Sequence, residues 1–222
     1  DAGLLVLSRT GRPALSLRFH IPAKADAVVA GNTFTVPISE GCWLHVTLPA
    51  DQPFALLRCR LTNGTDEQTN LSACCLPEAV LNLGTAADQV CALGTAGLTA
   101  ADGHPGSYVF LALADPKTRA GLVAGWTTFE RGDGILFSGR DGEALTFAAR
   151  TDYGRMQLDP GQSVDGETLA LGFFGDVRLG LEQWADLTAA ANEIGLRPQL
   201  SGYCTWYSEP HGGACDEMHI QE

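Results

Sequence analysis

The sequence predicts a mostly β protein, a large antiparallel sandwich followed by one helix, and three observations carry that expectation. Apolar and polar residues alternate with a period of two through much of the first 180 positions. These short runs are separated by Asn-Gly and Asp-Gly punctuation. One later stretch, 181–198, changes to the three-and-four spacing of an amphipathic helix.

Along the first run, residues 14–20, Leu15, Leu17 and Phe19 point one way while Ser16, Arg18 and His20 point the other. Residues 33–38 repeat the pattern with Phe34, Val36 and Ile38. In the next run Cys42, Leu44, Val46 and Leu48 alternate with Trp43, His45 and Thr47, and then Leu57, Cys59 and Leu61 alternate with Arg58, Arg60 and Thr62. One dry and one wet face is the mark of antiparallel sheets. Residues 107–114 and 121–126 are apolar on both faces, which predicts central strands. Asn63-Gly64, Asp133-Gly134, Asp141-Gly142 and Asp165-Gly166 read as hairpin turns, because both residue types tolerate positive φ. Residues 85–106, rich in Ala and Gly, read as a long irregular loop. Trp43 and Trp126 read as sandwich core, and His104 as a loop residue.

Leu181, Trp184, Leu187, Ala191 and Ile194 form the helical stripe, with Gly195 as a carboxyl-terminal cap and Pro198 as a block. The chain then divides into a sandwich over 1–180, a linker helix over 181–198, and the opening of a further region over 199–222. An aromatic strand over 200–207 and a helix start at Asp216 predict that the parent protein continues.

Composition narrows the function classes. The 222 residues carry 14 basic and 26 acidic side chains, a net charge of −12. Nucleic acid and anionic membrane surfaces, which need clustered Lys and Arg, are excluded as expected partners. No stretch approaches the roughly 20 apolar residues that span a bilayer. No basic segment precedes the apolar start, so an intact signal peptide is not expected, and the compartment stays open. The seven cysteines form no CxxC pair and read as buried, reduced hydrophobes. Asn63-Gly64-Thr65 and Asn70-Leu71-Ser72 match the glycosylation triplet but carry little weight. No Walker, dinucleotide or Gly-x-Ser-x-Gly motif occurs, and no cofactor is expected.

The tail holds the sharpest motif, Gly202-Tyr203-Cys204-Thr205-Trp206-Tyr207-Ser208, then His211-Gly212-Gly213-Ala214-Cys215-Asp216-Glu217. It resembles the first barrel strand of the α-galactosidase-type glycoside hydrolases, the family 36-like melibiase and raffinose-synthase relatives. Pro160-Gly161-Gln162, the apolar run 169–174 and Leu181-Glu182-Gln183-Trp184-Ala185 are similar to that family's approach to its linker helix. The resemblance implies a β-sandwich (supersandwich), a linker helix and the truncated start of a (β/α)8 barrel. It also implies retaining hydrolysis of terminal α-galactosides by two Asp residues roughly 5 Å apart. Both would lie on later barrel strands, so no catalytic residue is expected within the chain, and the chain alone is expected to be inactive. The implied partner is an α-galactoside oligosaccharide or glycoconjugate, with homo-oligomer contacts through the sandwich.

Trp206 and Tyr207 are the candidate substrate-binding residues, since a strand-one aromatic at the carboxyl end of a barrel faces the site. Core packing is the competing reading. Asp216 and Glu217 suit a helix amino terminus rather than catalysis. Cys204, His211, Cys215 and His219 are ligand types, but the spacing lacks the short pairs of structural zinc sites, and no metal is expected. Two other functions stay open: a galactosyltransferase of raffinose-synthase type, and a stand-alone carbohydrate-binding sandwich.

Overall fold

The computed structural model describes residues 3–9, 12–21, 27–195 and 197–202. They form two antiparallel sheets packed face to face. In one, β1 (Gly3–Arg9), β2 (Arg12–Ile21), β8 (Ala79–Leu83), β15 (Ala144–Leu158), β14 (Asp133–Asp141) and β11 (Ser107–Tyr108) lie side by side, and β7 (Thr69–Cys75) pairs with the far half of β15. In the other, the order is β10 (Gly97–Ala100), β9 (Cys91–Gly94), β12 (Phe110–Ala114), β13 (Gly121–Trp126), β16 (Ser163–Phe174), β6 (Ala55–Thr62), β5 (Cys42–Thr47), β4 (Thr33–Ser39) and β3 (Val28–Ala30). The inner faces interdigitate through Leu17, Phe19, Leu44, Leu57, Leu111, Leu122, Leu136, Phe147 and Leu169, all at most 1% exposed.

The alternating runs lie where the period-two pattern puts them, in β2, β4, β5 and β6. β13 is buried at every position, and its two faces have different partners. Leu122, Ala124 and Trp126 enter the sandwich core, while Val123 joins Ala112, Ala170 and Phe174 in a second apolar layer under a helix. That helix, α1 (Val177–Ala191), lies on the outer face of the larger sheet through Val177, Leu181, Trp184 and Leu187. Gly125 makes the contact possible, because a Cβ there would fall on the Trp184 indole.

Helix α1 begins four residues earlier than expected, because Asp176 caps it by accepting the Arg178 N–H at 3.1 Å. It also ends earlier. Glu193, at φ 52°, occupies the left-handed position, and the N–H groups of Glu193 and Ile194 donate to the carbonyls of Ala190 and Ala189 at 3.3 and 2.9 Å. Gly195 plays no part in that cap. Residues 197–202 carry no regular structure, so a strand starting at Leu200 is absent over 200–202. The remainder of the expected barrel strand and helix start lies outside the described residues.

Several local expectations are corrected. Of the four dipeptides read as hairpin turns, only Asp141-Gly142 sits at a hairpin, between β14 and β15, with Gly142 at φ 58°. Asp133-Gly134 lies inside β14, and Asp165-Gly166 lies at an irregularity inside β16. Asn63 is buried where the chain leaves one sheet for the other. Its Nδ2 donates to the carbonyls of Glu67 and Leu158 at 2.8 and 2.9 Å, so the amide is committed to folding rather than open to glycosylation. Residues 85–106 contain β9, β10 and two short 3-10 turns rather than one long loop. Trp126 is buried as expected, but Trp43 is 40% exposed, in line with the wet face of its own alternation.

Candidate functional site

Three backbone irregularities converge on one end of the sandwich. The apolar run 107–114 is not one strand: β11 and β12 belong to different sheets, and the chain crosses between them at Val109. Val109 has φ 70°, a conformation that a β-branched side chain resists. Its carbonyl accepts from the Trp126 N–H at 2.8 Å and its N–H donates to the Gly134 carbonyl at 3.3 Å, so hydrogen bonds to both sheets hold the strained residue in place. The pairing of β15 with β7 shifts register between Asp152 and Met156, and that of β16 with β6 shifts between Asp165 and Thr168. Bulges re-aim side chains, and they gather beside functional sites.

Val109 and the irregularity in β15 border a cleft of about 510 Å³ lined by Tyr108, Phe129, Arg131, Asp133, Asp152 and Tyr153. Tyr108 and Phe129 are 56% and 45% exposed, which leaves aromatic faces open to a ligand. Glu167, brought inward at the irregularity in β16, holds the rim. Its carboxylate accepts from Thr128 Oγ1 at 2.6 Å and from the N–H groups of Arg131 and Gly132 at 2.8 and 3.2 Å. Burial pushes the Glu167 carboxyl up, but these donors outweigh it and hold the group below its ordinary range.

Asp133 and Asp152 are cross-strand partners in this cleft. They are not arranged as a glycosidase acid pair. Asp152 accepts from Arg150 Nη2 at 3.0 Å, and the cleft is open, whereas a general acid needs an enclosed apolar setting to keep its proton. The arrangement suits binding of a polyhydroxylated ligand, with aromatic faces for its apolar side and carboxylates and a guanidinium for its hydroxyls. A larger groove of about 670 Å³ between β1 and residues 48–55 has Arg9 as its one charged lining residue, so it offers shape with few convergent polar groups.

A second cluster lies inside the sandwich. Cys42 on β5, Cys59 on β6 and Cys74 on β7 bring three sulfurs within 4.8 Å of one another, from two strands of one sheet and one of the other. Cys42 and Cys59 are buried and Cys74 is half-buried. Hydrogen bonding from Cys59 and then Cys74 pulls the Cys42 thiol down to about 4 against the opposing effect of burial. The contact with Cys42 pushes Cys59 far up and Cys74 up to about 12.

Trp206 and Tyr207 lie outside the described residues, as do Cys204, His211, Cys215, Asp216, Glu217 and His219. The cleft and the thiol cluster were both missed by sequence reasoning. Spacings of 17 and 15 residues between the three cysteines give no metal-like signal, and Val109 is an ordinary strand residue by type. Asp133 and Asp152 had a faint signal, in that neither has a place in an apolar alternation.

No protein-family model matches the chain, and no curated protein matches it. Among solved structures, the chain is similar to the α-galactosidase from Lactobacillus brevis, with TM-score 0.51 and 15% identity over 86% of this chain and 28% of that one. It is also similar to a galactose mutarotase related enzyme from Lactobacillus acidophilus, with TM-score 0.48 and 10% identity over 71% of this chain and 75% of that one. The first likeness establishes a shared sandwich fold. The chain spans little more than a quarter of the length of that α-galactosidase.

Proposed function

We propose that this chain is the non-catalytic amino-terminal sandwich region of a retaining α-galactosidase of the family 36-like type, acting on terminal α-galactosides. The observation that carries the reading is the fold shared over 86% of the chain with part of an α-galactosidase. The motif from Gly202 to Glu217, which resembles that family's first barrel strand, supports it independently. In this reading the sandwich braces a neighbouring barrel and α1 makes the connection. The Asp pair lies on barrel strands outside these residues, and Trp206 and Tyr207 face the sugar.

The test is an assay of the purified 222-residue chain, alone and joined to the coding region that follows it, on an aryl α-galactoside. The chain alone gives no turnover and the extended protein does. Turnover by the chain alone, or an extended protein with no α-galactosidase or galactosyl-transfer activity, overturns the reading.

A second reading, a stand-alone carbohydrate-binding module, is favoured by the exposed Tyr108 and Phe129 beside Arg131, Asp133 and Asp152. Calorimetry of the chain with galactose and raffinose separates the two. Saturable heat abolished by Tyr108→Ala selects the binding module, and flat titrations select the supporting role.

A further inference from the structure

We propose that Cys42, Cys59 and Cys74 form a site for one thiophilic divalent cation of the zinc class, which clips the two sheets of the sandwich together. The argument begins with reach. The three sulfurs lie within 4.8 Å of one another. Zinc–thiolate bonds of ~2.3 Å in tetrahedral geometry place sulfurs ~3.8 Å apart, so an inward movement of about 1 Å admits the ion. Side-chain rotation supplies such a movement without changing the register of β5, β6 or β7.

The surroundings supply the rest of a site. Tyr153 is 8% exposed, yet its hydroxyl has no hydrogen-bond partner. With Cys59 and Cys74, though not Cys42, it lines a small, partly open void of about 10 Å³. That is the room of about one small sphere, enough for an ion and too little for a water cluster. From the other side, a cleft of about 360 Å³ reaches Cys42 past Ser39, Gly41 and Asn63. It gives the ion a route from solvent and a water for the fourth position, while Tyr153 is placed beside the sulfurs as an outer hydrogen-bond donor.

The chemistry needs no oxidant or reductant. Every S–H proton still present on the three sulfurs passes to solvent on binding, no electrons move, and three thiolates around a divalent ion leave one negative charge. The protons are the measurable cost of binding. Because Cys74 belongs to one sheet and Cys42 and Cys59 to the other, the ion adds a tie between the two sheets beside the hydrogen bond from Asn63 to the Leu158 carbonyl.

The test uses the 222-residue chain, purified under reducing conditions and titrated with Co²⁺ and then with Zn²⁺. One equivalent of Co²⁺ binds with the near-ultraviolet sulfur-to-metal absorption of three thiolates, and one equivalent of Zn²⁺ displaces it. Cys74→Ser keeps the far-ultraviolet circular dichroism and weakens binding by about 100-fold or more, beyond the loss typical of outer ligands. If Cys74→Ser fails to fold, Cys42→Ala replaces it with the same expected loss. Cys75→Ser, at an exposed neighbour, and the Cys204→Ser, Cys215→Ser pair leave binding unchanged. The proposal is overturned by absence of the thiolate absorption, by binding that survives Cys74→Ser, or by binding that follows Cys204 and Cys215. It is also overturned if the unfolded chain shows fewer free thiols than its seven cysteines because members of the trio are oxidised.

Discussion

Replacing Gly125 with alanine tests whether α1 is docked through a single close approach. Gly125 lies in the middle of the larger sheet, paired with Phe110 on one side and Ala170 on the other, so its backbone has no freedom to retreat. A methyl group at that position overlaps the Trp184 indole, which also leans on Phe110 at a centroid distance of 5.6 Å. The ring must lift. Overpacking of this kind costs about 1–3 kcal/mol. The upper bound is the worth of the ring itself: ~25 cal/mol per Å² over roughly half of 150–250 Å² gives about 2–3 kcal/mol for Trp184→Ala. At about 2–4 °C per kcal/mol for a chain of this size, Gly125→Ala lowers Tm by about 2–12 °C. The assay is urea unfolding followed by far-ultraviolet circular dichroism and tryptophan fluorescence, run as a double-mutant cycle. In the Trp184→Ala background the added methyl meets empty space, so the coupling energy equals nearly the whole cost of Gly125→Ala. Additive single and double variants, or a neutral Gly125→Ala, refute the docking argument.

Three further outcomes follow from local geometry. Glu193→Gly relieves a left-handed φ of 52° in the cap of α1 and raises stability by about 1 kcal/mol in urea unfolding. Glu167→Gln leaves the Thr128, Arg131 and Gly132 donors poorly matched and costs about 1–3 kcal/mol. Because the Glu167 carboxyl is held below its ordinary range, its contribution is present above that range and lost as pH falls through its folded value, so the stability–pH curve of the variant is flatter in acid. His104 is buried, its Nδ1 accepts from the Gly106 N–H at 3.2 Å, and burial lowers its pKa. The folded state therefore favours the neutral ring, and stability declines as pH drops below the unfolded value of about 6.5. The slope of urea midpoint against pH between about 5 and 7.5 is smaller in His104→Gln.

The alternation of Leu15, Leu17 and Phe19, and of Cys42, Leu44 and Val46, is a local property of the chain, and it determined the strands and their inward faces without reference to anything distant. The same holds for the continuous apolar run of β13, which required cover on both sides, and for the helical stripe of Leu181, Trp184 and Leu187. Turn chemistry was less decisive. Asp133-Gly134 and Asp165-Gly166 have the residues of a hairpin, yet each is carried inside a strand by pairing partners far away in sequence.

The candidate sites belong to the tertiary structure alone. Val109 changes sheets because Trp126 and Gly134 hydrogen-bond it from opposite layers. Asp133 meets Asp152 through the register of β14 on β15. Cys42, Cys59 and Cys74 meet because two sheets fold over one another. A period of two states which way a side chain points, but the partner it meets depends on register and layer packing. Those are set by the sum of many long-range contacts, and no short window of sequence contains them.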